Sequence, residues 1–185
     1  MLYLALYFVA LIFEFFVALG LMVYIGSLLY SSLFGAPYVP TKRKELITFL
    51  QEAGIKKGSL FLELGCGDGR VVSTAVDVYG AVGVGIDINP VLIYWARLLA
   101  KLHKIQGKLT YKTENITKTD VSQADIIYLF LLPKVIDQIK EKLVKKTKPT
   151  VLIISHGFRI DDWDTFLVKK LDRKPFPTYF YKIKR

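Results

Sequence analysis

The sequence Phe-Leu-Glu-Leu-Gly-Cys-Gly-Asp-Gly-Arg, residues 61–70, decides the fold of this chain. An apolar run, Leu60–Leu64, carries one acid, Glu63, and gives way to three glycines that alternate with other residues. These glycines are Gly65, Gly67 and Gly69. Glycine bends most readily and leaves room for a ligand against the main chain, so the pattern predicts a buried strand, a glycine loop and a helix from Arg70. Together these elements form a nucleotide-type binding site.

Two ligands compete for this loop. A dinucleotide fingerprint requires a third glycine where this chain has Arg70. The pattern Glu-x-Gly-x-Gly-x-Gly fits S-adenosylmethionine better, because that molecule has no pyrophosphate and carries an ammonium group for which an acid such as Glu63 is a suitable partner. An ordinary strand-to-helix turn without a ligand is the alternative, but three alternating glycines weaken a fold that does not use them.

The second predicted strand ends in an acid that suits a ribose. Asp87 lies about 20 positions after Gly65, which is the spacing expected for a carboxylate that accepts hydrogen bonds from ribose hydroxyls. The alternative is that Asp87 only caps the next helix. Asn89, directly before Pro90, can supply that cap instead.

Strand-like and helix-like segments alternate along the rest of the chain. The predicted strands occupy residues 60–64, 81–86, 108–113, 125–131, 150–155, 166–171 and 178–183. The predicted helices occupy residues 41–53, 70–79, 90–104 and 133–146. This alternation predicts an α/β fold with a mostly parallel, Rossmann-like sheet and helices on both faces, in which the ligand lies beyond the carboxyl ends of the strands.

Further polar residues follow the later strands at the same predicted edge. Asn115 comes after the third strand, where its amide can pair with an adenine edge or form a local Asx turn. His156 ends the fifth strand, where it can accept a proton, hold a substrate, or simply be hydrogen-bonded. The fourth strand closes with residues 131–133, Leu-Leu-Pro, and lacks the Asn/Asp-Pro-Pro-aromatic motif of many base methylases, which argues against a nucleobase substrate.

The N-terminal segment predicts a membrane anchor. Residues Leu2–Phe34 are apolar or neutral except for Glu14, and about 20 such residues span a bilayer once. Three basic residues follow the segment and none precedes it, so the positive-inside tendency predicts a single-pass protein whose catalytic domain faces the cytoplasm. These residues are Lys42, Arg43 and Lys44.

Glu14 then lies either within the hydrocarbon, where a carboxylate needs a partner or a proton, or in the far headgroups. We expect an anchor at residues 1–35, a connector and helix at 36–57, and the main domain at 58–185.

Composition limits the partners. The net charge of +10 suits anionic lipid headgroups beside the anchor, whereas the pattern of lysines is typical of solvated helix faces and makes nucleic acid an unlikely partner class. One cysteine and two histidines argue against an intrachain disulfide and a zinc cluster, and we predict no metal site.

Four segments in this order resemble the small seven-strand protein lysine methyltransferases. That family includes the mitochondrial enzymes for the ATP synthase c-subunit and the adenine nucleotide translocase, and an archaeal broad-specificity enzyme. The segments are Pro37-Tyr38-Val39-Pro40-Thr41, residues 62–70, Phe130-Leu131-Leu132, and Ser155-His156-x-Phe158-x-Ile160-x-x-Trp163. The glycine loop is shared by nearly all such methyltransferases, so the first and last segments are the more specific ones. The resemblance covers the chain from about Pro37 to the C-terminus.

The resemblance implies a seven-strand class I methyltransferase sheet and S-adenosylmethionine as cofactor. It implies that Tyr38 and Thr41 belong to a segment folded over the cofactor. The further cofactor contacts that it implies are Glu63, Gly65, Gly67, Asp87 and Asn115. Tyr38 and His156 are the residues we expect to line the channel for a target lysine on a membrane or membrane-proximal protein. A phospholipid amine as methyl acceptor, or a membrane-tethered module that binds the cofactor without catalysis, are the competing hypotheses.

Overall fold

The computed structural model of the chain describes residues 1–34, 43–105 and 107–183. In these residues, helices and strands alternate as the sequence predicts. The elements are α1 (Leu2–Phe34), α2 (Arg43–Glu52), β1 (Leu60–Leu64), α3 (Arg70–Tyr79), β2 (Val82–Asp87), α4 (Pro90–Leu102), β3 (Leu109–Thr113), β4 (Ile126–Leu129), α5 (Pro133–Asp137), α6 (Lys140–Lys146), β5 (Leu152–His156), β6 (Leu167–Leu171) and β7 (Thr178–Lys182).

The strands form one seven-stranded sheet in the order β3-β2-β1-β4-β5-β7-β6. The five strands from β1 to β5 are parallel, and β7 lies antiparallel between β5 and β6. The chain leaves β1 in one direction to β2 and β3, and later returns to place β4 on the other side of β1. The predicted α/β Rossmann-like sheet is therefore confirmed, and its crevice lies where β1 and β4 end side by side.

Helices cover both faces of the sheet, because side chains alternate along each buried strand. Phe61 of β1 packs in a cluster with buried residues of α2, α3 and α4. Leu62 and Leu64 pack in the opposite cluster, with Ile136 of α5 and Leu143 of α6. This alternation directs Glu63 toward the face that carries α3.

Helix α1 projects from the domain. Residues 2–26 are all exposed, and the first buried residue of the helix is Ser27. At that point the side-chain amide of Asn89 donates a hydrogen bond of 2.8 Å to the Ser27 carbonyl, and α1 contacts the N-terminal end of α4. Residues Leu2–Tyr30 are long and apolar enough to cross a membrane by length and composition.

One predicted element is wrong: the single helix expected at residues 133–146 is two helices, α5 and α6. The break falls at Gln138 and Ile139, where Ile139 has a φ of −117° and its N–H bonds to the Ile136 carbonyl three residues back. Both isoleucines lie in the core cluster, so tertiary packing outweighs the local helix propensity of this segment.

Candidate active site

The glycine loop between β1 and α3 depends on backbone conformations that glycine adopts without strain. Gly65, Gly67 and Gly69 have φ values of 78°, 53° and 71°, all in the left-handed region. Space is also short, since a Cβ on Gly65 would lie 2.6 Å from Leu131 Cδ2. A Cβ on Gly69 would collide with the Tyr111 ring. Any larger residue would shift the loop that borders the crevice.

The loop amides bond to the end of β2 rather than pointing outward. The N–H groups of Gly65 and Cys66 both donate to the Ile86 carbonyl at 2.8 Å, and the Gly67 N–H donates to Asp87 Oδ2 at 2.8 Å. A dinucleotide loop instead presents its amides to a pyrophosphate. This arrangement fits a nucleoside ligand without a pyrophosphate, as S-adenosylmethionine is.

Asp87 joins the glycine loop to the start of α4. Its Oδ1 accepts from the Asn89 N–H at 2.9 Å while its Oδ2 holds Gly67. Burial raises the pKa of Asp87, and the backbone hydrogen bonds partly offset this rise. Asn89 is the N-cap of α4, because its Oδ1 accepts from the Val91 and Leu92 N–H groups. Asp87 is therefore not the helix cap, and a carboxylate can accept several hydrogen bonds, as a ribose hydroxyl pair requires.

Glu63 lies buried beneath the glycine loop, only 3% exposed. Its Oε2 accepts a 2.9 Å hydrogen bond from the Val72 N–H in the first turn of α3, where the helix dipole favours an acid. Burial raises the pKa of Glu63 well above its ordinary value, and the nearby carboxyls of Asp68 and Asp87 add to the rise. Glu63 thus supports the start of α3, and its contact with the cofactor ammonium stays a prediction.

Asn115 forms the Asx turn that the sequence left open. Its exposed side chain accepts, through Oδ1, from the Thr117 N–H and the Thr117 hydroxyl, each at 2.9 Å. The side-chain carbonyl is therefore in local use, and the predicted adenine contact stays a prediction.

His156 lies at the end of β5, 2% exposed, in an aromatic surround. Its ring centroid is 4.7 Å from that of Phe130, 5.4 Å from Phe49 and 5.9 Å from Phe176. Nδ1 shares a 2.8 Å hydrogen bond with the Thr178 hydroxyl, whereas Nε2 has no hydrogen-bond partner among the residues that the structure describes. Burial lowers the pKa of His156 to about 4, so the imidazole is neutral at physiological pH.

A small, open cleft lies beside this ring, between α2 and the β6–β7 edge of the sheet. Its lining combines aromatic walls, one acid and one base. The lining residues are Glu45, Thr48, Phe49, His156, Leu171, Arg173, Phe176 and Thr178.

The remaining residues of the Ser-His motif are structural. The Ser155 hydroxyl donates to the Phe158 carbonyl at 2.6 Å and closes the turn after β5. The Ile160 N–H donates to the Tyr181 hydroxyl at 2.9 Å, and Trp163 packs edge-on against the Tyr181 ring. This packing fixes the direction in which β5 presents His156.

Two predicted site residues, Tyr38 and Thr41, lie outside the described residues, and their roles stay predictions. The helix that follows them does border the cleft, since Phe49 of α2 stacks on Tyr128 at 5.1 Å and lies next to His156.

Sequence reasoning missed Tyr111, which lies over the glycine loop. Its hydroxyl is 2.6 Å from the Ser73 hydroxyl and donates to the Gly69 carbonyl at 3.1 Å. The available signal was a large residue on β3 opposite a glycine on β2, because Gly85 and Tyr111 are register partners. Glu45 and Phe176 gave no comparable signal, since no motif includes them.

This sheet order, with a glycine loop after β1 and an acid that ends β2, defines the class of S-adenosylmethionine-dependent methyltransferases. A solved RNA methyltransferase from Salinibacter ruber, in complex with S-adenosyl-L-homocysteine, has the same fold, with a TM-score of 0.76 and 29% identity over 80% of this chain and 95% of that one. The cofactor expected from the glycine loop, S-adenosylmethionine, is confirmed by this likeness.

The ANTKMT methyltransferase domain model matches residues 63–166. The protein-lysine N-methyltransferase of Saccharolobus islandicus strain REY15A is 33% identical over 137 residues, 74% of this chain and 85% of that protein. The chain therefore belongs to the ANTKMT methyltransferase domain family, which confirms the predicted resemblance and a methyltransferase enzyme. The human lysine N-methyltransferase of the ATP synthase c-subunit is 27% identical over 127 residues, and the match covers 69% of this chain but only 54% of that relative.

Proposed function

We propose that the protein transfers a methyl group from S-adenosylmethionine to lysine ε-amines of proteins at a membrane surface. The observation that carries the proposal is the neutral His156 imidazole in a cleft with aromatic walls, at the strand edge that also carries the glycine loop. Two relatives, named as lysine methyltransferases of proteins and of the ATP synthase c-subunit, support the same acceptor.

The acceptor amine must lose its proton before it can attack. Free lysine titrates near ~10.4, and desolvation beside Phe49 and Phe176 lowers that value. Glu45 attracts the incoming ammonium to the cleft, and the aromatic faces hold it by cation–π contact. His156, with a pKa of about 4, is too weak a base to keep the proton. Its role is to accept a hydrogen bond at Nε2 and orient the amine, while the proton leaves through water.

S-adenosylmethionine supplies the electrophilic methyl group when it is bound. Asp87 would hold the ribose, and the loop of Gly65 and Gly67 would border the rest of the molecule. Most of the rate then comes from alignment of the amine nitrogen with the methyl carbon and its leaving sulfur, since good alignment can contribute about 7–11 kcal/mol to lowering a barrier.

Membrane anchoring through α1 completes the proposal. The exposed rod, residues 2–26, is about 37 Å long and the hydrocarbon layer is about 30 Å thick. Lys42, Arg43 and Lys44 follow the helix and favour a cytoplasmic domain. A span over this rod puts Glu14 near the bilayer midplane, on the same helical face as Ala10 and Ala18, where a carboxylate needs a polar partner on another helix.

The test is to incubate membranes with methyl-labelled cofactor and the full chain, with Asp87→Ala as the inactive control. We expect label on lysines of membrane proteins, absent with the control. Label only in extracted phospholipid would favour the lipid-amine alternative, and label only in RNA would favour the activity named for the Salinibacter relative. Tight cofactor binding by calorimetry, without transfer to any fraction, would favour a non-catalytic binding module.

His156 is tested separately by the variant His156→Asn. A hydrogen-bonding role predicts a fall of about 10-fold to 100-fold in kcat, with no change in the pH at which the rate rises, since the amine and not the imidazole titrates there. A pH profile displaced together with the rate would show instead that His156 acts as the base.

A further inference from the structure

Helix α4 carries an exposed apolar stripe on the side away from the sheet. Its inward residues Leu92, Ile93 and Ala96 are buried. On the other side, Tyr94, Trp95 and Leu102 are 69%, 48% and 65% exposed, and the half-buried Leu98 lies between them. Leu98 lies four residues after Tyr94 and three after Trp95, and Leu102 lies four after Leu98, so all of them share one helical side. We call Tyr94, Trp95, Leu98 and Leu102 the α4 stripe.

The stripe begins where α1 leaves the domain. Asn89 is the residue before α4, and its amide holds the Ser27 carbonyl at 2.8 Å. The exposed rod of α1 ends one residue before that contact. If the rod spans the bilayer, its inner end and the first turns of α4 lie at the same depth, the headgroup layer.

The residue types in and beside the stripe suit that layer. Tyrosine and tryptophan are enriched at membrane interfaces, where the ring is buried among the upper acyl chains and the polar atom stays hydrated. Lys101 lies next to the stripe on the exposed surface of α4, and a lysine close to an anionic bilayer contributes about 1 kcal/mol. Apolar, aromatic and basic residues on one exposed helical side are the pattern of an interfacial helix.

We infer that the α4 stripe lies in the headgroup layer of an anionic bilayer, as a second membrane contact beside α1. The inference rests on the proposed anchoring through α1. Two contacts fix the tilt of the domain, whereas a single helix would leave it free to turn. Because Asp87 is two residues before Asn89, the cofactor crevice then stays at a constant height above the membrane, and lysines at that height are the ones methylated.

Tryptophan fluorescence tests this contact directly. The chain has two tryptophans: Trp95 in the stripe, and Trp163, which is 4% exposed in the core. The full chain is reconstituted in vesicles of phosphatidylcholine and phosphatidylglycerol that contain lipids spin-labelled either at the headgroup or deep in the acyl chain. We expect at least a twofold loss of the Trp95 emission with the headgroup label and a smaller loss with the deep label. The variant Trp95→Phe, which retains the shielded Trp163, should lose most of the quenching.

Flotation of the same vesicles separates the two proposals. A chain that floats, but whose Trp95 is quenched by aqueous iodide and not by spin-labelled lipid, would overturn the α4 contact and leave the α1 anchor intact. A chain that does not float would overturn both. The double variant Tyr94→Ser with Leu102→Ser should float as before and show less lipid quenching of Trp95, and unchanged quenching in that variant would also contradict the inference.

Discussion

Gly65 combines a left-handed backbone with a close neighbour, and the two constraints can be measured apart. Gly58 has a similar φ of 83° against 78° for Gly65, but a Cβ there would meet open space. We expect Gly58→Ala to cost about 1 kcal/mol of unfolding free energy from backbone strain alone. Gly65→Ala should cost about 3 kcal/mol, because Leu131 must also move. Denaturant titration gives both values.

Cofactor binding by the same pair of variants gives the control. Gly65→Ala should weaken S-adenosylmethionine binding at least 10-fold by calorimetry, and Gly58→Ala should leave it unchanged. Equal losses in the two variants would mean that the loop after β1 is not the binding loop.

His156 makes stability depend on pH in a defined window. The unfolded chain takes up a proton near pH 6.5, whereas burial delays protonation of folded His156 until about pH 4. Stability is therefore lost as the pH falls through that window, by up to about 3 kcal/mol for the 2.5-unit shift. The unfolding free energies of the parent and of His156→Phe are measured from pH 7 to pH 4. The difference between them should shrink by that amount toward pH 4.

The comparison with His156→Phe is needed because Glu63 and Asp87 change the stability with pH in the opposite direction. Burial raises the pKa of Glu63 and of Asp87, so the folded chain holds their protons more tightly and their contribution to stability is lost as the pH rises. These effects are common to the parent and to His156→Phe and cancel in the difference. A constant difference across the window would show that His156 titrates normally.

At the scale of single residues, the sequence predicted those whose role follows from local chain geometry. The three glycines and the Asn89 cap follow from turn chemistry and spacing. Asp87 ends β2 as expected, and its contact with the ribose stays a prediction. The aromatic environment of His156 was not predictable from the sequence. Phe49, Phe130 and Phe176 come from distant segments that only the tertiary fold brings together. The role of Asn115 was not predictable, because the sequence fitted an adenine contact and a local Asx turn equally well.

At the scale of elements, Asn89 joins α1 to α4. The variant Asn89→Ser keeps a hydroxyl that can cap α4, but it is too short and lacks the amide that reaches the Ser27 carbonyl. We expect a loss of less than about 1 kcal/mol in stability and a clear loosening of α1. Spin labels at Met22→Cys and Val78→Cys, both exposed positions, should give a narrow distance distribution in the parent and a broad one with Asn89→Ser.

The native Cys66 is 4% exposed and does not interfere with labelling. Asn89→Ala serves as a second comparison, since it removes both the cap and the bridge and should cost about 1 kcal/mol more than Asn89→Ser. Distributions of equal width in all three proteins would show that the bridge does not position α1.

The boundaries of helices and strands were predictable where glycine residues mark their ends. β1 and α3 occur with the predicted bounds because three glycines separate them and Gly80 ends α3 in a left-handed conformation. The break between α5 and α6 has no glycine or proline in the sequence, and it reflects how Ile136 and Ile139 pack in the core.

At the scale of the whole molecule, the net charge of +10 should make activity on membrane substrates sensitive to salt. Between about 0.1 M and 1 M salt the Debye length falls from about 10 Å to about 3 Å, which removes attraction between surface lysines and anionic lipid. We expect methylation of a substrate in phosphatidylglycerol vesicles to fall several-fold over this range. The same substrate in phosphatidylcholine vesicles is the control, and an equal fall there would point to a salt effect on catalysis itself.

The bond between Asn89 and Ser27 bears on how the enzyme can be handled. Deleting the first 34 residues takes away the Ser27 carbonyl, which accepts a hydrogen bond from the side-chain amide of Asn89. Asn89 is 1% exposed, and its backbone N–H donates to Asp87, the proposed ribose ligand. We expect such a preparation to understate cofactor affinity, so protein that retains α1 is the form in which to measure it.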